Sequence, residues 1–522
     1  MEAGLTADRV PGRTDAPGRA ALVLVGFMGA GKSSAARLVG RELGVRPLDS
    51  DRALERVLGE PIESFFDREG EAAFRAREEE TALALLARPD ARVVALGGGT
   101  LQSERVRAAL CRHTVVHLEV DGDAAWRRAS GRGRPLARER GRFDELHASR
   151  AALYEEVADA TVPSADREVV RRALPALEAL RADGSAGLRM VWASTGSGEY
   201  PVFLEGGLLG RGFFFPAGGR RFAVTDENVI HHHRIDAAAE VVIPPGESEK
   251  SMARAEAVLR ELARSGLTRD DLVAAVGGGV VGDLAGFCAA TYQRGVRHVQ
   301  VPTTLVAQVD SAYGGKTGVD LPEGKNYVGA FHQPTAVMVD PTTLATLPPE
   351  EQAAGFAEVL KTALIAGGPL WEGVRAAGPI DDALIRGCVR TKLAIVADDE
   401  RDEGRRQVLN LGHTVGHAIE AATGYRRFRH GEAVAIGLAC ALRLSGREEL
   451  RSEVVELLRG RGLPVTAPGL DASLVIDHLQ RDKKRSAGVV PFVLVEAPGA
   501  VTHGHHVADA DLRAALAEAG VA

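Results

Sequence analysis

The strongest limit on the architecture comes from a glycine-rich turn close to the start of the chain. An apolar run covers residues 21–25, the turn reads GFMGAGKSS at 26–34, and helical periodicity follows over 32–43. The pattern GxxxxGK[ST] between a strand and a helix directs backbone N–H groups and a helix N-terminus at a phosphate. Strand, loop and helix in this order predict a parallel α/β sheet that binds a nucleotide.

The chain is too long for one domain. It has 522 residues, whereas single hydrophobic cores stop growing at roughly 250 to 300 residues. An α/β pattern runs to about residue 180, the breaker-rich segment RADGSAG follows at 181–187, and long helical periodicity begins near residue 348. We predict a flexible N-terminus at 1–20, a P-loop sheet covered by helices on both faces at 21–180, a linker at 181–189, a second α/β domain at 190–347, and a mostly α-helical domain at 348–522. Within the last domain, we expect helices over 353–365, 382–398 and 413–422, and one strand over 489–495.

Composition excludes several classes of partner. The net charge of -7 gives no basic excess for nucleic acid. The longest apolar stretch, at 433–442, is about half of the ~20 residues needed to cross a bilayer. The first twenty residues lack the apolar core of an export signal. Four widely separated cysteines form no CxxC pair, so we expect a cytoplasmic enzyme without disulfides. Small acidic substrates remain compatible with the net charge, because a local cluster of Lys and Arg is enough to bind them.

The phosphate-loop motif predicts a role for two of its own residues. Lys32 can bridge the outer phosphates of ATP, and the Ser33 hydroxyl can bind Mg²⁺. Further polar residues follow in a set order: Asp49, Asp51, Arg75, Gly97, Gly98, Gly99, Arg134 and Arg150. Over roughly residues 21–180 this series resembles shikimate kinase.

That resemblance implies a role for each position. Asp49 would support the Mg²⁺ site, and Asp51 would contact the substrate hydroxyl and accept its proton. A guanidinium fork suits a carboxylate, and the shikimate contacts would be Asp51, Arg75, Gly97, Gly98, Gly99, Arg134 and Arg150. Arg134 would close from a lid as a catalytic residue, and the ATP contacts would be Gly29, Ala30, Gly31, Lys32, Ser33, Ser34 and Arg128. Nucleoside monophosphate kinases and gluconate kinases share the same core, so another small acceptor is the alternative.

A second glycine turn, GGGVVGD at 277–283, follows the apolar run 273–276. It lacks the GxGxxG spacing and is a weak dinucleotide signal by itself. The surrounding motifs are TDEN at 225–228, PGESEK at 245–250, VPTTL at 301–305, DSAYGGKTGVDLPEGKN at 310–326, AEVLK at 357–361, HTVGHAIE at 413–420 and HGE at 430–432. Together, from about residue 190 to 522, they resemble 3-dehydroquinate synthase.

Imidazole and carboxylate groups in these motifs predict a divalent metal site. Glu358, His413 and His430 form one candidate set. His413 and His417 are four residues apart on one helix face and form a competing pair. The resemblance selects Glu358, His413 and His430 as ligands of Zn²⁺, Co²⁺ or another divalent ion, and places His417 near the substrate phosphate.

The resemblance also implies NAD⁺ as a catalytic cofactor bound by the 190–347 domain. The implied contacts are Asp226, Asn228, Glu247, Lys250, Gly278, Gly279, Val280, Asp283, Thr303, Thr304, Asp310, Lys316 and Lys325. The implied catalytic residues are Asp310, Lys316, Lys361, Lys392 and His417. The substrate, 3-deoxy-D-arabino-heptulosonate 7-phosphate, would be bound by Arg294, Asn326, Arg406, Asn410, Lys483 and Lys484. Arg294 would come from a neighbouring subunit, which implies a homodimer.

Two alternatives stay open for the second half of the chain, and a third concerns the whole chain. Iron-dependent alcohol dehydrogenases share the fold type but have no need of the cations Lys316, Lys325, Lys392 and Arg406. Other sugar-phosphate cyclases share the metal and NAD⁺ chemistry but have no substrate carboxylate to bind. A fusion with one inactive regulatory half is the third. The run of histidines at 231–233 has no predicted role.

Overall fold

The computed structural model describes residues 18–130, 137–166, 168–485 and 490–521, with the backbone alone for 481–485. The predicted flexible N-terminus therefore lies almost wholly outside the described residues, as do Arg134 and the side chains of Lys483 and Lys484. The chain divides into two compact units between Ala193 and Ser194, with Tyr200–Phe203 belonging to the first. Among the described helices, none combines the length and apolar content that crossing a bilayer requires.

The first unit is built on a sheet with strand order β2-β3-β1-β4-β5-β6-β7. Its strands are β1 (Leu22–Val25), β2 (Leu48–Asp49), β3 (Val93–Ala95), β4 (Thr114–Glu119), β5 (Ala160–Pro163), β6 (Arg189–Ser194) and β7 (Glu199–Leu204). Its helices are α1 (Lys32–Glu42), α2 (Ser50–Leu58), α3 (Ile62–Leu86), α4 (Glu104–Leu110), α5 (Gly122–Ala129), α6 (Arg140–Val157) and α7 (Val169–Asp183). The pairs from β2 through β6 are parallel.

The order of the strands explains where the phosphate loop lies. All four residues of β1 are buried between β3 and β4, so the loop that follows opens at the carboxyl end of a central parallel strand, where ligands bind in such sheets. Gly26 has φ 144°, and a Cβ there would lie 2.6 Å from the Leu118 carbonyl oxygen. Only glycine fits at that position, which is why the loop can pass so close to β4.

The second unit begins with parallel strands in the order β14-β11-β10-β8-β9. Its strands are β8 (Arg221–Asp226), β9 (Ala239–Ile243), β10 (Leu272–Gly277), β11 (Arg297–Pro302) and β14 (Ala336–Val339), and an antiparallel hairpin is formed by β12 (Lys316–Leu321) and β13 (Gly324–Phe331). Helices α8 (Met252–Arg264) and α9 (Gly279–Thr291) cover these strands. Buried aliphatic side chains of β8, β10, α8 and α9 form one core cluster.

The rest of the second unit is mostly helical. Its helices are α10 (Pro349–Ala366), α11 (Gly368–Arg375), α12 (Asp382–Asp398), α13 (His413–Ala422), α14 (His430–Leu444), α15 (Glu448–Gly460), α16 (Ala472–Arg485) and α17 (Asp509–Glu518). An antiparallel hairpin of β15 (Phe492–Ala497) and β16 (Ala500–His505) is added to them. A second core cluster joins α13, α14, α16 and α17.

The predicted fold class is confirmed, and so are the helices at 382–398 and 413–422. Sequence patterns missed the hairpin β12–β13 and the strand β16. The residues of β13 and β16 are partly buried or exposed throughout, and β12 buries only residues 317–319, so none of these strands forms an apolar run. The proposed linker at 181–189 is shorter in the structure, since α7 continues to Asp183 and β6 begins at Arg189.

Candidate active sites

The lysine of the phosphate loop lies over its own turn. Lys32 Nζ donates hydrogen bonds to the carbonyl oxygens of Gly26 at 2.8 Å and Phe27 at 3.1 Å. Its backbone begins α1, next to Ser33. The ammonium group and the hydroxyl therefore share one end of the loop, as phosphate and Mg²⁺ binding require.

The remaining predicted nucleotide contacts border the same turn. Arg128 Nη1 donates to the carbonyl oxygen of Ser164 at 3.0 Å and lies 3.5 Å from that of Gly29. The Ser34 hydroxyl accepts from Arg37 at 3.0 Å. Arg128 thus lies beside the loop, where an adenine-side contact was expected, and Gly29, Ala30 and Gly31 form the turn itself.

The two predicted acidic residues sit at the start of α2. Asp49 caps this helix by accepting from the Arg52 backbone N–H at 3.2 Å, and Asp51 lies in its first turn. Between them, the Ser50 hydroxyl accepts from the Gly97 backbone N–H at 2.7 Å. This bond joins the acidic residues to the glycine run that follows β3.

Two arginines converge on that glycine run. Arg150 Nη1 donates to the Gly98 carbonyl oxygen at 3.0 Å. The Arg75 guanidinium lies so close to Gly99 that a Cβ there would overlap it. Arg75 and Arg150 come from helices far apart in sequence, α3 and α6, and together they offer two guanidinium forks to one carboxylate.

Two residues of this site had no role assigned from the sequence. Glu78 forms an ion pair with Arg75 at 2.5 Å and is 6% exposed. Burial raises the pKa of Glu78, while Arg75 opposes that rise. Tyr154 donates to the Gly98 carbonyl oxygen at 2.6 Å. The signal for Glu78 was its spacing of three residues from Arg75 on one helix face.

A cleft of about 1510 Å³ lies within the second unit. All of the predicted dinucleotide contacts line it: Asp226, Asn228, Glu247, Lys250, Gly278, Gly279, Val280, Asp283, Thr303, Thr304, Asp310, Lys316 and Lys325. The candidate metal ligands and several predicted substrate contacts line it as well: Asn326, Glu358, Lys361, Lys392, Arg406, Asn410, His413 and His430. One cavity therefore contains both groups of predicted residues.

The glycine turn forms one wall of this cleft. Strand β10 ends at Gly277, and α9 begins at Gly279 after the cap Gly278. A Cβ on Gly278 would lie 2.9 Å from the Thr304 methyl carbon, so the turn is packed closely against the loop after β11. The N-terminus of α9 points its free N–H groups at the cleft, where they suit a pyrophosphate.

An ion pair supports the same helix. Lys250 Nζ lies 2.5 Å from the Asp283 carboxylate, and Lys250 is 5% exposed. Burial lowers the pKa of Lys250, but Asp283 and Glu247 outweigh it and raise the pKa above its ordinary value. A buried charged pair of this kind holds α9 in register with the loop before α8.

A row of alternating charges crosses the floor of the cleft. Asp310 lies on a π-helical turn, Ala307–Ser311, and its carboxylate is 2.8 Å from Lys361 Nζ. Lys361 is also 2.6 Å from Glu358. Lys392 Nζ donates to the Asp310 carbonyl oxygen at 2.6 Å and also contacts its carboxylate. The row links the predicted catalytic lysines to the candidate metal site.

The spacing of the candidate ligands fits a metal ion. Glu358 Oε1 lies 3.5 Å from His413 Nε2 and 3.3 Å from His430 Nε2. Ligand atoms bound tetrahedrally at about 2.1 Å from zinc are about 3.4 Å apart, which matches both distances. The other nitrogen of His413, Nδ1, is 3.1 Å from the Leu411 carbonyl oxygen, which leaves Nε2 for a cation.

Protonation states in this group also suit a cation. Burial alone raises the pKa of Glu358, but Lys361 and the histidines hold that pKa well below the usual range. Burial lowers the pKa of His413 well below its ordinary value. Burial likewise lowers the pKa of His430, but Glu358 and Glu420 outweigh it and raise the pKa to about 9. The two buried carboxylates beside His430 therefore favour a positive charge at this position.

His417 lies in the same cluster. Its ring centroid is 5.1 Å from that of His413 and 5.7 Å from that of His430, and one nitrogen from each ring could hold a single ion. The competing histidine set is thus assembled together with the Glu358 set. The side chain of His417 is exposed at the edge of the cluster, which leaves it accessible to an anionic group.

Other predicted anion contacts are already paired within the chain. Lys316 Nζ is 2.6 Å from Asp402, and Arg406 Nη1 donates to the Glu400 carbonyl oxygen at 2.6 Å. Lys325 Nζ lies 3.2 Å from Glu420. Asp402 and Glu420 carried no role in the sequence-based assignment, because motif order identifies cations without showing their partners.

Arg294 is placed apart from these residues. It is exposed on a turn with φ 70° and is absent from the described lining of its own chain's cleft. The histidines at 231–233 do line the cleft, and His233 Nε2 is 2.7 Å from the Thr346 hydroxyl.

The two units thus define two classes of enzyme. One is a P-loop phosphotransferase with paired arginines beside its phosphate loop. The other is an α/β enzyme with a helical domain, in which one cleft combines a dinucleotide turn, a divalent-metal set and many cations.

Comparison with known proteins identifies the families to which the two units are similar. The shikimate kinase model matches residues 28–180, the 3-dehydroquinate synthase N-terminal model matches 240–354, and the C-terminal model of that family matches 355–485. The 3-dehydroquinate synthase of Symbiobacterium thermophilum is 43% identical over 338 residues, which cover 59% of this chain and 94% of the relative. The chain belongs to the 3-dehydroquinate synthase family and carries a shikimate kinase domain before it.

Two solved structures share the architecture of the second unit. The 2-epi-5-epi-valiolone synthase of Streptomyces hygroscopicus subsp. jinggangensis 5008, with NAD⁺ and Zn²⁺ bound, is 27% identical with a TM-score of 0.56, over 61% of this chain and 96% of that one. A 2-deoxy-scyllo-inosose synthase complexed with carbaglucose-6-phosphate, NAD⁺ and Co²⁺ is 23% identical with a TM-score of 0.56, over 63% and 99%. The second likeness shows the fold alone.

Proposed function

We propose that the chain phosphorylates shikimate with ATP and converts 3-deoxy-D-arabino-heptulosonate 7-phosphate to 3-dehydroquinate and phosphate. The solved structures that resemble the second unit include synthases of other products, so the substrate of the second unit needs its own argument. That argument comes from Lys392, Arg406 and Asn410, which line the cleft next to the metal set. These residues offer positive charge and hydrogen-bond donors that suit a substrate carboxylate, whereas other sugar-phosphate cyclases have no substrate carboxylate to bind.

In the kinase unit, Arg75 and Arg150 hold the shikimate carboxylate against the glycine run. Asp51 contacts the reacting hydroxyl and accepts its proton. Lys32 follows the transferring phosphoryl group, while Ser33 and Asp49 hold Mg²⁺. Arg134, assigned by family resemblance, closes over the phosphates and excludes water.

In the synthase unit, Glu358, His413 and His430 would hold Zn²⁺ or Co²⁺, which would supply polarisation of a substrate hydroxyl, and the dinucleotide contacts would hold NAD⁺, which would supply reversible hydride transfer. Lys361 and Lys392 position Asp310 through their ion pairs. Asn326 and His417, with Lys483, Lys484 and Arg294 of the partner subunit, contact the substrate phosphate. These groups hold the substrate so that phosphate can act as the base for its own departure.

We further propose a homodimer, because Arg294 lies on an exposed turn away from its own cleft. Mass measurement by light scattering tests this directly, and an active monomer contradicts it. A cytoplasmic location agrees with four free cysteines.

The central test uses two variants of the full chain. We expect Lys32→Ala to abolish ATP-dependent phosphorylation of shikimate and to leave phosphate release from the heptulosonate substrate intact. We expect His413→Ala to do the reverse. Each variant serves as the other's folding control, and loss of both activities in a folded variant contradicts two independent sites.

Substrate choice needs a separate assay. We expect the wild-type chain to discriminate strongly against a sugar 7-phosphate that lacks the carboxylate, and Arg406→Met to lose most of that discrimination. A wild-type chain that prefers the carboxylate-free sugar contradicts the proposed substrate while leaving the kinase assignment untouched.

A further inference from the structure

A buried carboxylate lies immediately behind the candidate metal site. Glu420 is 2% exposed, and its Oε2 atom is 3.2 Å from His430 Nδ1. The opposite nitrogen of the same ring, Nε2, faces Glu358 at 3.3 Å. When Nε2 binds a cation, Nδ1 must carry the ring proton, and Glu420 is the acceptor in position for it.

The second oxygen of Glu420 is used differently. Oε1 is 3.2 Å from Lys325 Nζ, which extends from the hairpin strand β13. Lys325 also lies 3.3 Å from Glu247 and 4.6 Å above the Tyr425 ring. One buried carboxylate therefore joins a metal-ligand candidate on α14 to a cleft lysine on the hairpin.

The position of Glu420 in its own helix explains this reach. It follows His413 by seven residues on α13, or about two turns, so both side chains lie on one helix face. The same face presents His417 between them. Helix α13 thus offers a ligand candidate at one end and a supporting carboxylate at the other.

We propose that Glu420 is a positioning residue that orients His430 for metal binding through Nε2 and anchors Lys325 of the hairpin to the same point. This inference rests on the metal site of the proposed function. Carboxylates that orient ligating histidines change metal affinity by about 10- to 100-fold when removed. Glu420 acts on the ion only through His430.

The test measures Co²⁺ affinity of the metal-free full chain by competition with a chromophoric chelator, together with the visible absorption of bound Co²⁺. We expect Glu420→Ala to weaken Co²⁺ binding about 10- to 100-fold and to alter the absorption bands. Glu420→Gln keeps the side-chain shape and removes the charge, and we expect at least a fewfold weakening. Circular dichroism of each metal-free variant establishes that it is folded.

Glu247→Gln is the matched control, because Glu247 contacts Lys325 without contacting His430. We expect it to leave Co²⁺ affinity and absorption unchanged. The inference is overturned if folded Glu420 variants bind Co²⁺ like the wild type, or if Glu247→Gln weakens binding equally. A wild-type chain that binds no Co²⁺ instead removes the metal site of the proposed function, and with it this inference.

Discussion

The absence of a side chain at Gly99 determines where the Arg75 guanidinium can lie. The Arg75 head group occupies the space that a Cβ on Gly99 would need, and Glu78 holds it there at 2.5 Å. Arg75 was predictable from its place behind the phosphate loop. The fixed position of its guanidinium was not predictable, because it depends on contacts with Gly99 and Glu78, which lie in two separate segments.

We therefore expect Gly99→Ala to weaken shikimate binding about 10- to 100-fold, the equivalent of one charge-assisted hydrogen bond of about 1.5–3 kcal/mol. ATP affinity should stay the same, since Lys32 and its loop are untouched. Isothermal titration of each ligand measures both. Gly141→Ala on α6 is the control, because a Cβ there meets only a carboxylate oxygen at 3.8 Å; an unchanged shikimate affinity in Gly99→Ala contradicts the steric account.

A second residue-scale prediction concerns stability in acid. His298 is 1% exposed on β11 and stacks on His332 at 4.9 Å. Burial, with a smaller contribution from His332, lowers the pKa of His298 from 6.5 to about 3. Below pH 6.5 the His298 imidazole is protonated in the unfolded chain but stays neutral in the folded chain. The free energy of unfolding therefore decreases as the pH falls from 6.5 toward 3.

At pH 5 this one group costs about 2 kcal/mol, from 1.5 pH units at about 1.36 kcal/mol each. We expect His298→Met to recover most of that loss at pH 5 and to change stability little at pH 7.5. Urea unfolding at the two pH values measures the difference. Equal pH dependence in wild type and variant would show that other groups control acid stability.

At the scale of elements, two glycines set the distances between the metal-site helices. A Cβ on Gly431 would overlap the Ala354 carbonyl of α10, and one on Gly437 would overlap the Gly412 carbonyl at the start of α13. Helix α14 can therefore lie directly against the two helices that carry Glu358 and His413.

We expect Gly437→Ala to destabilise the second unit by about 1–3 kcal/mol, as overpacking does, and to weaken Co²⁺ binding because His413 is displaced. The urea midpoint and a chelator competition measure the two effects. Gly460→Ala, at the open end of α15 where a Cβ meets nothing within 4 Å, should change neither Co²⁺ affinity nor the unit's fold. Wild-type metal affinity in Gly437→Ala would contradict this packing role.

The same elements show what a sequence can predict. The ends of α12 and α13 followed from periodicity, because both helices bury a regular apolar face. The β12–β13 hairpin did not, although it carries Lys316 and Lys325, because most of β13 is exposed or partly exposed. Motifs predicted the candidate site residues, whereas the ion pairs among them join segments up to about a hundred residues apart and can be seen only in the structure.

For the whole molecule, two compact units with separate ligands lead us to expect separate responses to heat. ADP with shikimate should raise the midpoint of one calorimetric transition and NAD⁺ that of the other. A ligand at 100 times its Kd adds about 2.7 kcal/mol to the unit that binds it. One transition moved by both sets of ligands contradicts independent unfolding.

Because the cations in the synthase cleft are paired with carboxylates, substrate binding should depend only weakly on ionic strength. Lys316, Lys325, Lys361 and Lys392 each already contact a carboxylate of the chain. An anionic substrate that binds there replaces one ion pair with another, and added salt screens the old pair and the new one alike. The Michaelis constant of the synthase reaction should consequently rise only gently with salt, far less than the number of lysines in the cleft would suggest.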